Sequence, residues 1–316
     1  MRILVVGAGV VGLTTAVCLA EAGYDVHVLA RDLPLETTSS VAAALWYPYL
    51  ADPPDRVLSW SKRSLQVFSC IARESPQAGV SLVEGTELLS QPHGDPFWAC
   101  AVPSFKRLDK PPPPYVDGWS CEAPVIEMPV YLIWLRGRLE AAGGTITRMV
   151  LRAMPADAQL VVNCAGLGAR HLASDPSVVP VRGQVLRVAQ IGVDRWSLDA
   201  EGPTYVIPRA RDIVLGGTSA EGMWATRPEP GIAADIMKRA IALVPELAGA
   251  RVLGHRVGLR PVRPSVRLES ERLSQGAVVV HCYGHGGAGV TLSWGCAEEV
   301  LSMVESSGPA FRHIGP

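Results

Sequence analysis

The sequence predicts an α/β protein in which a Rossmann-like nucleotide-binding domain is interleaved with an α+β domain built on an antiparallel sheet. Three observations predict it. An apolar strand, Arg2-Ile3-Leu4-Val5-Val6, runs into Gly7-Ala8-Gly9-Val10-Val11-Gly12, followed by a helical run (Leu13 to Ala22) and a β-rich run (Val26 to Leu29). A second strand–glycine–helix unit stands late in the chain: Ala277 to Tyr283, then Gly284-His285-Gly286-Gly287-Ala288-Gly289, then a helix from Val290 to Glu305. Between them, Val181 to Arg187 and Tyr205 to Gly216 alternate with period 2, as antiparallel strands do. A sheet begun by the first unit and completed by the last requires insertions. The expected division is therefore 1–50, 143–185 and 262–316 for the nucleotide domain, with 51–142 and 186–261 forming the second domain.

The strand–turn–helix–strand context is what gives the first glycine motif its meaning. Gly7 allows the tight turn, Gly9 lets the backbone approach a pyrophosphate, and Gly12 lets the helix pack closely on the strand. The helix N-terminus, with the N–H groups of Val10 and Val11, then faces the anion with its dipole. Arg31 to Val41 is a polar turn whose hydroxyls (Thr37, Thr38, Ser39, Ser40) could donate to phosphate oxygens. The same cluster could cap a helix starting near Val41. Ala42-Ala43-Ala44-Leu45 would let a flat ring approach the backbone, and Trp46-Tyr47-Pro48-Tyr49 supplies aromatic side chains for a pocket or for the core.

Apolar residues at Val57, Leu58, Leu65, Phe68 and Ile71 predict a helix over Asp55 to Glu74. Val80 to Trp119 is strand-like and broken by prolines, and Pro111 to Pro114 must be an exposed extended loop because proline joins neither helix interior nor central strand. A helix over Tyr131 to Ala142 ends at Gly143-Gly144; short strands follow at Ile146 to Leu151 and Leu160 to Gly166. Ala233 to Leu247 reads as a helix and Arg251 to Arg267 as an extended, arginine-rich stretch.

The 316 residues suffice for two domains, and 48% hydrophobic with 19% charged residues describes a globular chain with a large core. A net charge of -1 gives no electrostatic case for nucleic acid or an anionic membrane as partner. No run of 18 apolar residues offers a membrane span. Strand-forming sequence from Arg2 leaves no room for a leader, and His313-Ile314-Gly315-Pro316 is not a peroxisomal address, so a cytoplasmic location is expected. Seven scattered cysteines without a Cys-x-x-Cys pair predict neither disulfides nor a metal site.

The residue ending the second strand of such a unit reads the ribose: an acid accepts from its hydroxyls, an arginine suits a 2′-phosphate. Here both types are present, Arg31 and then Asp32. Arg31 alone keeps an NADP-linked oxidoreductase open. The polar turn, the small-residue stretch and the distant second glycine turn instead offer the surface of a longer ligand, one carrying a flavin.

Several blocks then resemble the signature blocks of the D-amino-acid oxidase family, which includes the D-aspartate oxidases. They are Val41 to Leu50, Val162-Asn163-Cys164-Ala165-Gly166, Gly216-Gly217 with Trp224, Gly258-Leu259-Arg260-Pro261-Val262-Arg263-Pro264, and Tyr283 to Gly289, in the family's order. The resemblance covers essentially the whole chain. It implies a glutathione-reductase-like FAD-binding domain interleaved with a substrate domain. The implied reaction transfers hydride from the α-carbon of a D-amino acid to flavin N5; the imino acid hydrolyses to a 2-oxo acid and ammonia, and O₂ is reduced to H₂O₂. By position, the FAD contacts fall on Ala8 and Gly9 to Val11 (phosphate), Arg31 and Asp32 (ribose), Thr37 and Thr38 (pyrophosphate), Ala43, Ala44 and Leu45 (ring), and Val150 (adenine). They continue on Gly286, Gly287, Gly289, Val290 and Thr291, and Arg260 sits at the cofactor's substrate side.

On that side Arg260 would hold the α-carboxylate through the two parallel bonds of its guanidinium fork. A structural ion pair is the competing explanation, since Arg256, Arg263 and Arg267 lie nearby; strand alternation turns Arg263 away from Arg260. Tyr205, in Pro203 to Pro208, matches the tyrosine that also binds the carboxylate, and the Gly287 carbonyl would accept from the substrate amine. Tyr47 stands where mammalian members have glutamine. Between Leu186 and Tyr205 the chain is shorter than vertebrate members, lacks a second active-site tyrosine, has Glu201 near that place, and should leave a more open mouth. His285 is expected to serve turn geometry and flavin contact. A D-aspartate oxidase would need a further cation, with Arg182 or Arg209 as candidates; a non-catalytic flavin-binding protein would not need Arg260 and Tyr205. The resemblance also implies a homodimer.

Overall fold

In the computed structural model, which describes residues 2–49, 51–156, 158–202, 204–274 and 276–306, the chain opens with β1 (Arg2–Val6), α1 (Val10–Glu21) and β2 (Asp25–Ala30). Leu50, Pro203 and His313 to Pro316, on which parts of the sequence reading rest, lie outside the described residues. Strand β1 is buried through Ile3, Val5 and Val6, as a parallel strand covered on both faces must be. Helix α2 (Pro54–Glu74) is amphipathic, turning Val57, Leu65, Phe68 and Ile71 inward. Then come β3 (Val80–Leu89), the short β4 (Lys106–Arg107), β5 (Asp117–Ile126), α3 (Met128–Ala141), β6 (Thr145–Arg148), β7 (Leu160–Asn163) and the single turn α4 (Ala169–Leu172). The chain continues through β8 (Val179–Ala189), β9 (Trp196–Asp199), β10 (Thr204–Pro208), β11 (Asp212–Gly216), β12 (Ala220–Glu221), α5 (Pro230–Leu243), β13 (Val252–Arg272), β14 (Val278–His285) and α6 (Gly289–Ser306).

All fourteen described strands join one sheet, in the order β4-β5-β3-β9-β10-β11-β8-β13-β14-β7-β1-β2-β6, with β12 pairing β8. From β14 to β6 every pairing is parallel. The remaining pairings are antiparallel except β3 with β9, a parallel pair inside the half that the periodicity presented as wholly antiparallel. Strand β13 links the halves: residues 252–262 pair with β8, and after a register shift between Val262 and Arg267 the strand pairs with β14. One hydrophobic core packs α1, α2, α3 and α6 against the parallel half, and a separate cluster seats α5 on β8, β10 and β11. All seven cysteines are free.

Helices α3 and α5 begin three residues earlier than their apolar periodicity suggests, and α5 gives way to a 3-10 turn at Pro245–Leu247. Pro129 and Pro230 stand in their first turns, where a missing N–H costs nothing. No helix starts at Val41. Thr38–Val41 is a 3-10 turn, after which Ala44 takes φ 59° and the chain is diverted onto β5. There Ile126 N donates to Ala44 O (3.0 Å) and Trp46 N to Pro124 O (2.8 Å). Pairing with a strand thus overrides the capping chemistry of the Thr-Ser cluster.

Candidate functional site

A cavity of about 1180 Å³ runs from the C-terminal end of β2, past the β1–α1 and β14–α6 turns, into the antiparallel half. That exceeds the ~300–1,000 Å³ usual for a drug-sized ligand. Its first wall is the glycine turn. Gly7 has φ 111°, and a Cβ there would overlap the Cys164 carbonyl of β7's end. Gly7, Ala8, Gly9, Val10 and Val11 all line the cavity. Gly12 does not; a Cβ there would overlap the Gly7 carbonyl, so this glycine serves the close approach of α1 to β1.

At the end of β2, Arg31 and Asp32 both line the cavity, but they engage each other: Arg31 Nη2 lies 2.6 Å from Asp32 Oδ2. The arginine's charge is met in part by its own neighbour, in an ion pair exposed to solvent. Thr37 and Thr38 line the cavity; Ser40 does not, and donates to Thr37 O. Ser39 Oγ accepts from Val10 N (3.0 Å), tying the polar turn to the start of α1. Val150 lines the cavity beside Met149 although it is 69% exposed, an apolar surface open to a flat ligand.

The second glycine turn closes the opposite wall. Gly286, Gly287, Gly289, Val290 and Thr291 line it together with Ala43, Ala44 and Leu45. Tyr47 N donates to Thr291 Oγ1 (3.0 Å), which in turn donates to Tyr47 O (2.9 Å), so the small-residue stretch and the start of α6 are held as one surface. A Cβ at Gly287 would lie 2.5 Å from the Tyr49 ring. His285 is buried in this wall, and burial lowers its pKa to about 4, leaving a neutral imidazole. Cys282, His285 and Cys296 come together there, all buried. Against the lowering effect of a hydrogen bond with Cys164, contact with Cys296 and burial hold the Cys282 thiol well above its ordinary value.

The substrate-side candidates converge at the cavity's other end. Arg260 and Tyr205 both line it. Arg260 Nη1 donates to Thr218 O (2.9 Å), and among the described residues no carboxylate pairs with it. Its guanidinium lies where a Cβ on Gly183 would be, 2.7 Å from both Nη atoms. The Tyr205 ring lies similarly over Gly216 and Gly217. Burial raises the Tyr205 hydroxyl's pKa, opposed by the charge of Arg260. The other candidate arginines have partners elsewhere, Arg256 donating to the His255 carbonyl (3.0 Å). Arg263 pairs with Asp175 (2.8 Å), Arg267 with Glu269 and Glu271, and Arg209 with Asp212 (2.7 Å); Arg182 donates to Ala225 O and Arg227 O. Neither Arg182 nor Arg209 lines the cavity, and Trp224 is exposed outside it.

Among the lining residues that escaped the sequence reading, Glu87 and Gly183 stand out. Glu87 of β3 is 5% exposed and accepts from Tyr47 Oη (2.9 Å) and Trp119 Nε1 (2.8 Å). Burial raises its pKa, while the two donors lower it. Gly183 of β8 carries no motif; only the β8–β13 register, which places Gly183 opposite Gly258, reveals its use.

Residues 2–303 match the FAD-dependent oxidoreductase family model. The chain is 53% identical over 312 residues to a D-amino-acid oxidase of Rubrobacter xylanophilus, covering 96% of this chain and 95% of that one. It is 39% identical to a human D-aspartate oxidase, over 98% and 96% of the two chains. Glycine oxidase from Geobacillus kaustophilus shares the fold, with TM-score 0.83 at 19% identity over 99% and 100% of the chains. With the paired glycine turns and the long cavity between them, these matches make the chain a member of the D-amino-acid oxidase family of FAD-dependent oxidoreductases.

Proposed function

We propose that this chain oxidatively deaminates D-amino acids, with Arg260 as the carboxylate anchor. One observation carries the reading: a guanidinium in the cavity wall, fixed by a backbone carbonyl and a glycine bed, with no carboxylate of its own among the described residues. Bound FAD supplies the acceptor for the α-hydrogen as hydride and passes both electrons to O₂, giving H₂O₂. The protein's part is orientation. Arg260 offers parallel N–H donors to the α-carboxylate, Tyr205 adds its hydroxyl, and the Gly287 carbonyl accepts from the amine. The cofactor is assigned to Gly7 to Val11, Arg31, Asp32, Thr37, Thr38, Ala43 to Leu45, Val150, Gly286, Gly287, Gly289, Val290 and Thr291, all of which have atoms on the cavity. The neutral His285 and its thiol neighbours have no assigned chemical step.

The parallel half is assigned to FAD and the antiparallel half to substrate, with the division at 1–50, 143–185 and 262–316 against 51–142 and 186–261. No helix among the described residues is long and apolar enough to cross a membrane, and the reading includes a cytoplasmic homodimer. D-Aspartate oxidation has less support, because neither Arg182 nor Arg209 reaches the cavity. Colour is the test. The purified protein should be yellow, with bands at ~370 and ~450 nm, and should bleach anaerobically with D-alanine or D-valine and not with the L forms. A preparation that binds FAD but keeps its colour with every D-amino acid refutes the reading.

A further inference from the structure

Resting on that reading, a buried carboxyl group in the cavity wall points to a substrate class. Among the described residues that line the cavity, Glu87 is the one buried carboxylate. Its two hydrogen-bond donors, Tyr47 Oη and Trp119 Nε1, are neutral, so they fix the carboxylate without cancelling its charge. An ionised carboxylate has about four lone-pair sites, leaving each oxygen room for another donor. A smaller annex of about 340 Å³ continues beyond it, walled by Tyr47, Glu87, Gln91, His93, Trp119 and Glu201 among others. Tyr47, Glu87 and Glu201 also line the main cavity, so the annex extends from it. No lysine or arginine among the described residues lines the annex.

The cavity therefore carries a fixed cation, Arg260, and a buried carboxyl group, Glu87, whose pKa burial raises in the absence of a cation. Desolvating a carboxylate is costly unless it finds a hydrogen-bonded cation. We propose that Glu87 sets specificity by accepting the terminal ammonium or guanidinium of a cationic D-amino acid such as D-lysine or D-arginine. An acidic side chain would meet the carboxyl groups of Glu87 and Glu201 there, beside Gln91 and His93. The competing role is purely structural: Glu87 would hold the Tyr47 and Trp119 rings and nothing else.

The test compares kcat/KM of the holoenzyme for D-lysine and for D-norleucine, the same chain without the ammonium. The wild type should favour D-lysine at least ~10-fold, and Glu87→Gln should lower that preference at least ~10-fold, the range for removing one partner of a charged pair. A structural role would change both substrates by one factor and leave the ratio intact, which overturns the proposal. Should the variant fail to load FAD, Nε-acetyl-D-lysine on the wild type replaces it; parity with D-lysine overturns the proposal and a ~10-fold loss supports it. Oxidation of D-alanine without a preference for D-lysine sinks the subsite alone. Inertness towards D-alanine, D-norleucine and D-lysine alike sinks the activity reading and the subsite with it.

Discussion

At the scale of the residue, the position of Arg260 depends on atoms that Gly183 lacks. The two lie on neighbouring strands, with Arg260 opposite Val181 and so diagonal to Gly183, and the guanidinium fills the space over the glycine. Gly183→Ala should displace only the terminal atoms of one arginine side chain, so fold and FAD content should survive. A catalytic group misplaced by ~1 Å can cost ~100-fold; kcat/KM for D-alanine should fall by about that factor, and a variant with wild-type kinetics would refute the glycine's role. Arg260 itself was legible because its block has a recognisable pattern and odd spacing turns Arg263 to the opposite face, where it meets Asp175. Gly183 and Glu87 were not legible, since each acquires its meaning across strand pairings that separate it from its partner by dozens of residues. Arg31 lines the cavity as its position suggested, and the ion pair with the adjacent Asp32 was the feature that spacing did not show.

At the scale of the element, the link between β8 and β10 contains a strand of the sheet, β9. Strand β9 pairs with β3 and β10, and Trp196 anchors it, donating from Nε1 to Val83 O (2.8 Å) over Gly85. The following turn is held by Asp199, whose Oδ1 accepts from Glu201 N (3.1 Å) and whose Oδ2 accepts from Tyr115 Oη (3.0 Å). A link clamped at both ends cannot swing as a long lid does, so product should leave faster than the enzyme turns over. Stopped-flow measurement of product dissociation checks this; a release rate equal to kcat would contradict it. That this link would become a parallel partner of β3 was not legible, because periodicity marks a strand without naming its neighbour.

At the scale of the whole molecule, the chain's first and last segments meet in the parallel sheet, and β13 carries that sheet into the antiparallel half. Strand–glycine–helix order at both ends made this legible, whereas the fusion of both halves into one sheet needed the pairings themselves. The buried His285 gives the fold a pH signature. Its pKa of about 4 in the folded chain lies below the ordinary 6.5, so between those values the unfolded chain binds a proton that the folded chain refuses. Stability present above pH 6.5 is lost as pH falls towards 4, by about 3 kcal/mol in total. Thermal unfolding of the holoenzyme across that window should fall less steeply for His285→Leu; identical slopes would refute the assignment.

In the proposed reaction one cavity holds FAD between the two glycine turns, and Arg260 beside it anchors an acid. Anaerobic flavin reduction by D-valine in wild type and Arg260→Ala tests both halves of that arrangement at once. The variant should keep its flavin bands while losing about 3–5 kcal/mol of transition-state stabilisation, a fall in kcat/KM of roughly 10²- to 10³-fold or more. A yellow Arg260→Ala variant reduced as readily as the wild type would contradict the account.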